Sequence, residues 1–179
     1  ILLGLVGSEM CIRDSAITTA SKYKKSKILA LDLSFKSLSY AKRKANELKI
    51  NNIDFIQGDI LDLESIDRKF DIIESVGVLH HMDNPFKGWK ILTSCLNNDS
   101  LMLIGLYSEK ARQHIKEIKN KINKIKLQSN YKNIIKFRKD LIENNDNHLN
   151  YIKSSPDFYT VSGVRDLLFH VQEHRFTIS

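Results

Sequence analysis

Short apolar runs, each separated from the next by a segment of different character, recur through the middle of this 179-residue chain. The runs are Lys27–Asp32, Ile53–Gln57, Phe70–Val76 and Leu101–Tyr107. Their apolar residues are continuous and do not alternate with polar ones, which is typical of parallel strands that are buried on both faces. The pattern therefore predicts an α/β fold, with a mostly parallel sheet and helices on both of its faces.

The first connecting segment has the spacing of a helix. Leu38, Ala41, Ala45 and Leu48 recur at spacings of 3, 4 and 3 residues, so they lie on one helical face. Ser34 precedes them at the place where a side-chain oxygen caps a helix. A strand followed by a capped amphipathic helix is the repeating unit of a parallel α/β sheet.

A second helix is predicted to begin at Pro85, because proline is favoured at the first helical position. Trp89, Leu92 and Leu96 continue its apolar face. The polar run Asn97–Ser100 then predicts a turn that leads into the last apolar run.

From Glu109 onward the strand pattern gives way to helical periodicity. One helix is predicted by the stripe Ile115, Ile118, Ile122 and Ile125, a second by Ile134, Phe137 or Arg138, and Leu141, and a last one by Ser162 to Glu173. We therefore divide the chain into four parts. They are a segment of non-native origin at 1–15, an α/β core at 16–108, a basic helical insertion at 109–150, and a truncated helical segment at 151–179.

The formal net charge of +7 comes from one part of the chain. Residues 110–139 hold 11 Lys and Arg against a single acid, Glu117, so the remainder has 17 bases against 20 acids. Only Tyr131 and Phe137 interrupt the lysines, and no nucleic-acid-binding signature accompanies them, which argues against nucleic acid as the partner. The alternatives are a solvated lid over a substrate, a face for an acidic partner, or an AT-rich coding sequence that enriches lysine without any ligand.

The composition excludes several classes of protein. No apolar run approaches the about 20 residues that cross a bilayer, so we expect no membrane association. Cys11 and Cys95 form neither a CxxC pair nor a disulfide framework. This usage is typical of a reducing compartment, and we expect a cytoplasmic protein without a cysteine-based metal site.

Two acids follow successive predicted strands. Asp32 ends the first run, and Asp59 follows a Gly58 turn after the second. In open parallel sheets ligands bind outside the carboxyl ends of the strands, where Asp32 could accept both hydroxyls of a ribose and Asp59 an adenine amine. The structural alternatives are an acid favoured by a helix N-terminus for Asp32 and a turn carboxylate for Asp59.

These runs resemble the second to fifth strand regions of class I S-adenosylmethionine-dependent methyltransferases. The matching stretches are ILALDLSFKSLSYAKRKANEL, FIQGDILDLE, FDIIESVGVLHHMDNPFKGWKILTSCL and LMLIGLYSE, and the tail SPDFYTVSGVRDLLFHVQEHRFTI resembles a bacterial subgroup. The resemblance implies a Rossmann-like sheet, incomplete here at both ends, and S-adenosylmethionine as cofactor. It places Asp32 and Leu33 at the ribose, Asp59 and Ile60 at the adenine, and Glu74, Ser75 and Val76 beside the methionine portion. It leaves the methyl acceptor and the oligomeric state unspecified.

The beginning of the chain departs from that family. Residues 1–15, ILLGLVGSEMCIRDS, contain no Lys or Asn, and VGSEMCIRDS resembles a translated sequencing adapter. A signal peptide is the alternative, but the apolar start is short and no basic residue precedes it. The family's glycine-rich GxGxG loop should lie here, so we expect that loop to be replaced and cofactor binding to be weak or absent. We therefore leave residues 1–15 out of the functional interpretation.

Two histidines are candidates for a catalytic base. His80 and His81 follow the third apolar run, at the edge where the acceptor would bind, and a neutral imidazole can remove a proton. The alternative is that one of them packs or caps the helix that follows.

Three further functions compete with methyl transfer. His170, Glu173 and His174 fit the HxxEH pattern of inverted zinc metallopeptidases, but the same run belongs to the methyltransferase-like tail and no third ligand follows. A nicotinamide-dependent Rossmann enzyme would need GxGxxG. The third alternative is a non-catalytic binding module whose basic helices contact an acidic partner.

Overall fold

The computed structural model describes residues 2–7, 11–143 and 148–178. The chain forms two compact units, Ile1–Leu106 and Tyr107–Ser179, which we call the sheet unit and the helical unit. Over the described residues, no helix combines the length and the apolar character that a bilayer crossing demands.

The sheet unit contains five parallel strands in the order β3-β2-β1-β4-β5. In chain order its elements are β1 (Leu2–Gly7), α1 (Cys11–Lys22), β2 (Lys27–Asp32), α2 (Phe35–Glu47), β3 (Ile53–Gln57), β4 (Phe70–Val76), α3 (Pro85–Ser94) and β5 (Leu96–Gly105). Short 3-10 helices at Ile60–Ser65 and Leu79–His81 follow β3 and β4. The expected α/β class with a parallel, Rossmann-like sheet is confirmed.

Each face of the sheet has its own apolar core. Ile28 and Ala30 of β2 pack with Ala16, Ala20 and Leu38 from α1 and α2 on one face. On the other face the core consists of Leu29, Leu31, Ile60, Leu63, Phe70, Ile73, Leu79, Ile91, Leu92 and Cys95. Successive side chains of β2 therefore enter opposite cores, which is why its sequence is continuously apolar.

The central strand comes from the segment that the sequence interpretation set aside. In β1, Leu3 pairs with Ile28 of β2 on one side and with Ile72 of β4 on the other, and both pairings are parallel. The helix after it begins at Cys11, five residues before the predicted core. An apolar run of strand length suits the position between two buried strands, so Leu2–Gly7 serves the sheet whatever its origin.

The capped helix after β2 forms as expected. Ser34 is the N-cap of α2, and its Oγ accepts a hydrogen bond from the backbone N–H of Ser37 at 3.2 Å. Leu38, Ala41 and Ala45 are buried. Leu48 was wrongly assigned to the apolar face, because the helix ends at Glu47 and the side chain is 60% exposed.

The predicted turn at 97–100 is wrong. Helix α3 ends at Ser94, and β5 begins directly at Leu96 and runs for ten residues. Asp99 adopts a left-handed φ of 59°, and the pairing with β4 shifts register between Phe70 and Ile72. The polar residues therefore form an irregular part of an edge strand, which tolerates such side chains because one side of it meets solvent.

The helical unit is built from α4 (Gln113–Lys124), α5 (Tyr131–Glu143), α6 (Leu149–Lys153), a 3-10 helix at Pro156–Tyr159 and α7 (Val161–Phe169). Their buried residues form one core: Ile115, Ile118, Ile122, Ile134, Phe137, Leu141, Leu149, Ile152, Phe158, Val164, Leu167 and Leu168. The predicted stripes are confirmed except at Ile125. That side chain lies past the end of α4 and is 61% exposed.

The last helix is shorter than predicted. It ends at Phe169 and not at Glu173, because His170 is extended and the chain then pairs with the start of the helical unit. Phe176 donates its N–H to Tyr107 O at 2.8 Å and accepts the N–H of Glu109 at 2.9 Å. These long-range bonds and the charges around Glu173 favour an extended segment over another helical turn.

Candidate functional site

The carboxyl ends of the five strands meet at one edge of the sheet. Gly7 of β1 pairs with Val76 of β4, Val76 pairs with Gly105 of β5, and Asp32 of β2 pairs with Gln57 of β3. The residues that follow these strands therefore line a common edge, which is where open parallel sheets bind ligands.

Asp32 is the buried acid of this edge, with 6% of its surface exposed. Its Oδ1 accepts the N–H of Ser34 at 2.8 Å, and its backbone carbonyl accepts the N–H of Gly58 at 3.2 Å. The carboxylate thus lies at the start of α2, as the structural alternative proposed, and at the ligand-binding edge, as the ribose interpretation requires. The two roles are compatible, because orienting one oxygen on the helix start presents the carboxylate in a defined direction.

The loop after β2 is held by a residue that nothing in the sequence marked. Gln57, the last residue of β3, donates a hydrogen bond from Nε2 to the carbonyl of Leu33 at 3.1 Å. The side chains of Leu33 and Phe35 are 67% and 69% exposed. Gln57 therefore positions the backbone beside Asp32, and the apolar side chains of Leu33 and Phe35 are exposed at the edge.

Asp59 caps the 3-10 helix that follows β3. Its Oδ1 accepts the N–H of Leu61 at 3.0 Å, and its own N–H donates to Asp62 Oδ2 at 3.3 Å. Ile60 is buried in the core beneath. The turn-carboxylate role is thus observed, and the cap fixes Asp59 one strand away from Asp32.

The end of β4 alternates between the two faces of the sheet. Glu74 and Val76 are half-buried on one side, whereas Ser75 points the opposite way and is fully buried. Ser75 Oγ has no hydrogen-bond partner among the described residues. A buried hydroxyl without a partner costs free energy, so a ligand or water that bonded it would stabilise this end of the sheet.

Two glycines shape the edge beside Val76. Gly77 has a φ of 80°, which ends β4 in a conformation that L side chains rarely adopt. A Cβ on Gly105 would lie 2.8 Å from Val76 Cγ1, so β5 approaches β4 here as only glycine allows. Neither glycine was predicted to matter, because a close approach between strands is visible only after they pair.

The two candidate bases differ in burial. His80 is 1% exposed, within the 3-10 helix after β4, whereas His81 is half-buried. Their rings meet edge to face, with 4.3 Å between centroids. His80 therefore packs in the core of the sheet unit, and His81 is the more accessible of the two imidazoles.

The residues of the HxxEH pattern do not lie on a helix. His170 and His174 lie beyond α7 in extended chain, so they do not share a helix face. Glu173 is occupied by Arg112, which donates to both of its carboxylate oxygens. In the part of the chain that the structure describes, no group of three or more His, Cys, Asp or Glu side chains could hold a metal ion.

The segment in which the glycine-rich loop is predicted to be replaced includes residues 8–10, which lie outside the described residues. The flanking elements are described. Gly7 ends β1 at the ligand-binding edge, and α1 begins at Cys11.

Comparison with known proteins agrees with this geometry. Residues 14–147 match the family described as a methyltransferase domain. The probable (S)-tetrahydroprotoberberine N-methyltransferase 2 of Papaver bracteatum is 32% identical over 98 residues, which are 55% of this chain and 27% of that protein. An uncharacterized Synechococcus protein, syc1184_c, is 31% identical over 96 residues, which are 53% of this chain and 23% of that one.

One solved structure resembles nearly the whole chain. PKMT2 from Rickettsia typhi, determined in complex with AdoHcy, superposes with a TM-score of 0.72 and 21% sequence identity. The match covers 98% of this chain and 36% of PKMT2. The likeness is one of fold, and the chain spans about a quarter of the curated relatives' length and about a third of PKMT2.

Proposed function

This chain belongs to the methyltransferase-domain family of class I S-adenosylmethionine-dependent enzymes, and from that premise we propose that it transfers a methyl group from this cofactor to an acceptor. The observation that carries the proposal is the buried carboxylate of Asp32 at the end of β2, oriented by Ser34 at the edge where ligands bind.

The residues of the edge fit such a cofactor. Asp32 would accept the ribose hydroxyls, with Leu33 beside it, and Asp59 with Ile60 would bound the adenine. Glu74, Ser75 and Val76 would lie beside the methionine portion, and the unpartnered Ser75 hydroxyl is available there for a hydrogen bond. A carboxylate that accepts two hydroxyl hydrogen bonds binds more strongly than a neutral acceptor would.

S-adenosylmethionine supplies an activated methyl group, so the protein's task is to place an acceptor in line with it. The side chains at the carboxyl edge bind and orient the reactants. His81 is the imidazole that could remove a proton from the acceptor, because it is more accessible than the buried His80.

An amine is the acceptor class that the relatives support. The Papaver protein and an Eschscholzia californica relative of 30% identity are both named as N-methyltransferases. An ammonium must lose a proton before its lone pair can attack, which agrees with an imidazole at the edge.

We further propose that this chain binds the cofactor weakly. The segment after β1 reads Gly7-Ser-Glu-Met-Cys11 and lacks the GxGxG pattern of the family. A glycine-rich turn lets the backbone approach the ligand closely, and larger side chains prevent that approach.

Isothermal titration with S-adenosylmethionine tests both proposals. Residues 1–179 should bind weakly, and the combined Glu9→Gly and Cys11→Gly variant, which restores the glycine spacing, should bind about tenfold more tightly or better. Adding Asp32→Asn should remove that gain, whereas Asp54→Asn, at an exposed position of β3, should not. Tight binding by the unaltered chain would contradict the impairment. Tight binding by the restored chain carrying Asp32→Asn would contradict the assigned site.

A further inference from the structure

The connection between α4 and α5 presents lysines together with apolar side chains. We propose that this lysine tip, residues 124–132, docks an acidic, amphipathic segment of a partner polypeptide. The tip lies within the helical unit and is described throughout. The proposal does not depend on cofactor binding.

Several cations of the helical unit differ from those of the tip in what they bind. Three of them make bonds within the unit: Arg112 and Lys119 bind Glu173, and Arg138 donates to the backbone carbonyls of Phe158 and Tyr159. These side chains cannot serve a partner without breaking internal bonds.

Three lysines are exposed on the tip. The side chains of Lys124, Lys126 and Lys132 make no hydrogen bond or ion pair to any residue that the structure describes. They come from the last turn of α4, the connection and the first turn of α5, so three positive charges are gathered within nine residues of chain.

The start of α5 strengthens the positive potential. Asn130 caps this helix, accepting the N–H of Asn133 on Oδ1 at 2.9 Å, and the first turn contains no acid. A helix N-terminus already carries partial positive charge and usually has acids nearby, so Lys132 adds charge where the helix dipole opposes it. A carboxylate brought to this position would relieve that repulsion.

Two apolar side chains flank the lysines. Ile125 is 61% exposed and Tyr131 is 62% exposed, in contrast to the buried stripe formed by the isoleucines of α4. A surface that combines Lys with an exposed Tyr and Ile complements a segment that carries acids beside apolar residues.

The same features argue against three other occupants. Phosphate recognition favours the planar fork of arginine, and Arg112 and Arg138 are held in internal bonds while the tip offers only lysines. Tyr131 is the single aromatic residue of the tip, whereas single-stranded nucleic acids are bound by successive stacking rings. Two exposed apolar side chains are also too few to insert an interfacial helix into a lipid surface.

Fluorescence anisotropy with a labelled peptide of glutamates interspersed with leucines tests the proposal. The triple variant Lys124→Gln, Lys126→Gln and Lys132→Gln should bind about tenfold more weakly, since each exposed ion pair contributes modestly. The matched control is Lys24→Gln, Lys42→Gln and Lys90→Gln, which removes the same charge from exposed lysines of the sheet unit. The control should bind as the unaltered chain does.

Further measurements separate the occupants. Replacing Ile125 and Tyr131 by Ser should weaken peptide binding several-fold at high salt, where the charges are screened and the apolar contact remains. Tip and control variants that bind the peptide equally would overturn the proposal. It would also be overturned if poly-uridine RNA or phosphatidylglycerol vesicles competed more strongly than an unlabelled copy of the peptide. Circular dichroism of each variant should match that of the unaltered chain, because every substituted side chain is exposed.

Discussion

Arg112 holds the carboxylate of Glu173 through two parallel hydrogen bonds, from Nε to Oε1 at 2.8 Å and from Nη2 to Oε2 at 2.9 Å. The Glu173 side chain is 2% exposed and that of Arg112 is 11% exposed. Lys119 and Arg175 approach the same carboxylate at 3.4 and 3.5 Å. Glu173 therefore forms ion pairs with three cations, and those with Arg112 and Lys119 hold the extended segment after α7 against α4.

Removing this acid should destabilise the helical unit strongly. We expect Glu173→Gln to lower the free energy of unfolding by about 3–5 kcal/mol, because it leaves Arg112 buried without its counter-charge. Urea unfolding measures the change. Arg112→Met combined with Glu173→Met should recover much of the loss, since Arg112, the most deeply buried of the three cations, is then removed together with its partner. A double variant less stable than both single ones would contradict this account.

The same ion pair predicts a loss of stability in acid. Burial raises the pKa of the Glu173 carboxyl, but the hydrogen bond and charge of Arg112, with Lys119 and Arg175, lower the pKa by more, to a value below its ordinary 4.5. A lowered folded-state pKa stabilises the protein above the unfolded-state pKa, and this contribution disappears as the pH falls through the folded-state value.

Unfolding free energies measured from neutral pH downward test that prediction. The unaltered chain should lose stability in the acidic range, and Glu173→Gln should lose less over the same interval. Glu109, whose pKa is lowered by hydrogen bonds from Arg175 and Lys116, remains in both proteins. The difference between the two curves therefore isolates Glu173, and parallel curves would refute the assignment.

Asn52 should matter to the sheet unit through its amide. Its Nδ2 lies 3.2, 3.1 and 3.0 Å from the carbonyl oxygens of Ala20 in α1 and of Tyr23 and Ser26 in the connection to β2. We expect Asn52→Ala to cost about 1–3 kcal/mol, because these partly buried acceptors lose their donor. Asn51→Ala, at the exposed neighbouring position, is the control and should change stability little. Thermal unfolding of both variants provides the comparison.

Gly163 should not tolerate a methyl group. An added Cβ would overlap the backbone carbonyl oxygen of Asp157, and would lie 2.7 Å from Asp157 Cα and 2.8 Å from Thr160 Oγ1. The obstacle is backbone, which cannot rotate away, so Gly163→Ala should destabilise the helical unit by about 1–3 kcal/mol. Ser162→Ala, one residue earlier and exposed, should be close to neutral in the same denaturant titration. Equal free energies of unfolding for Gly163→Ala and Ser162→Ala would contradict this prediction, because they would show that the 3-10 helix at Pro156–Tyr159 can move away from the added methyl group.

Local sequence was sufficient for most elements of the sheet unit. The apolar runs of β2, β3 and β4 and the cap at Ser34 follow from spacing and side-chain chemistry. Asp32 was found because an acid at the end of a buried strand stands out against apolar neighbours. Gln57 and Gly105 were missed, because their importance comes from a contact with a neighbouring strand or loop and neither has a local signal.

The sequence by itself determined the α/β class, the stripes that bury α4 and α5, and the acids at the edge of the sheet, because periodicity and strand ends are properties of adjacent residues. Only the tertiary structure decided that Leu2–Gly7 is the central strand, that β5 begins at Leu96, and that the chain leaves the helix after Phe169. Those outcomes depend on pairings between distant segments, such as Leu3 with Ile72 and Arg112 with Glu173. These pairings stabilise the chain only once the fold has brought the partners together.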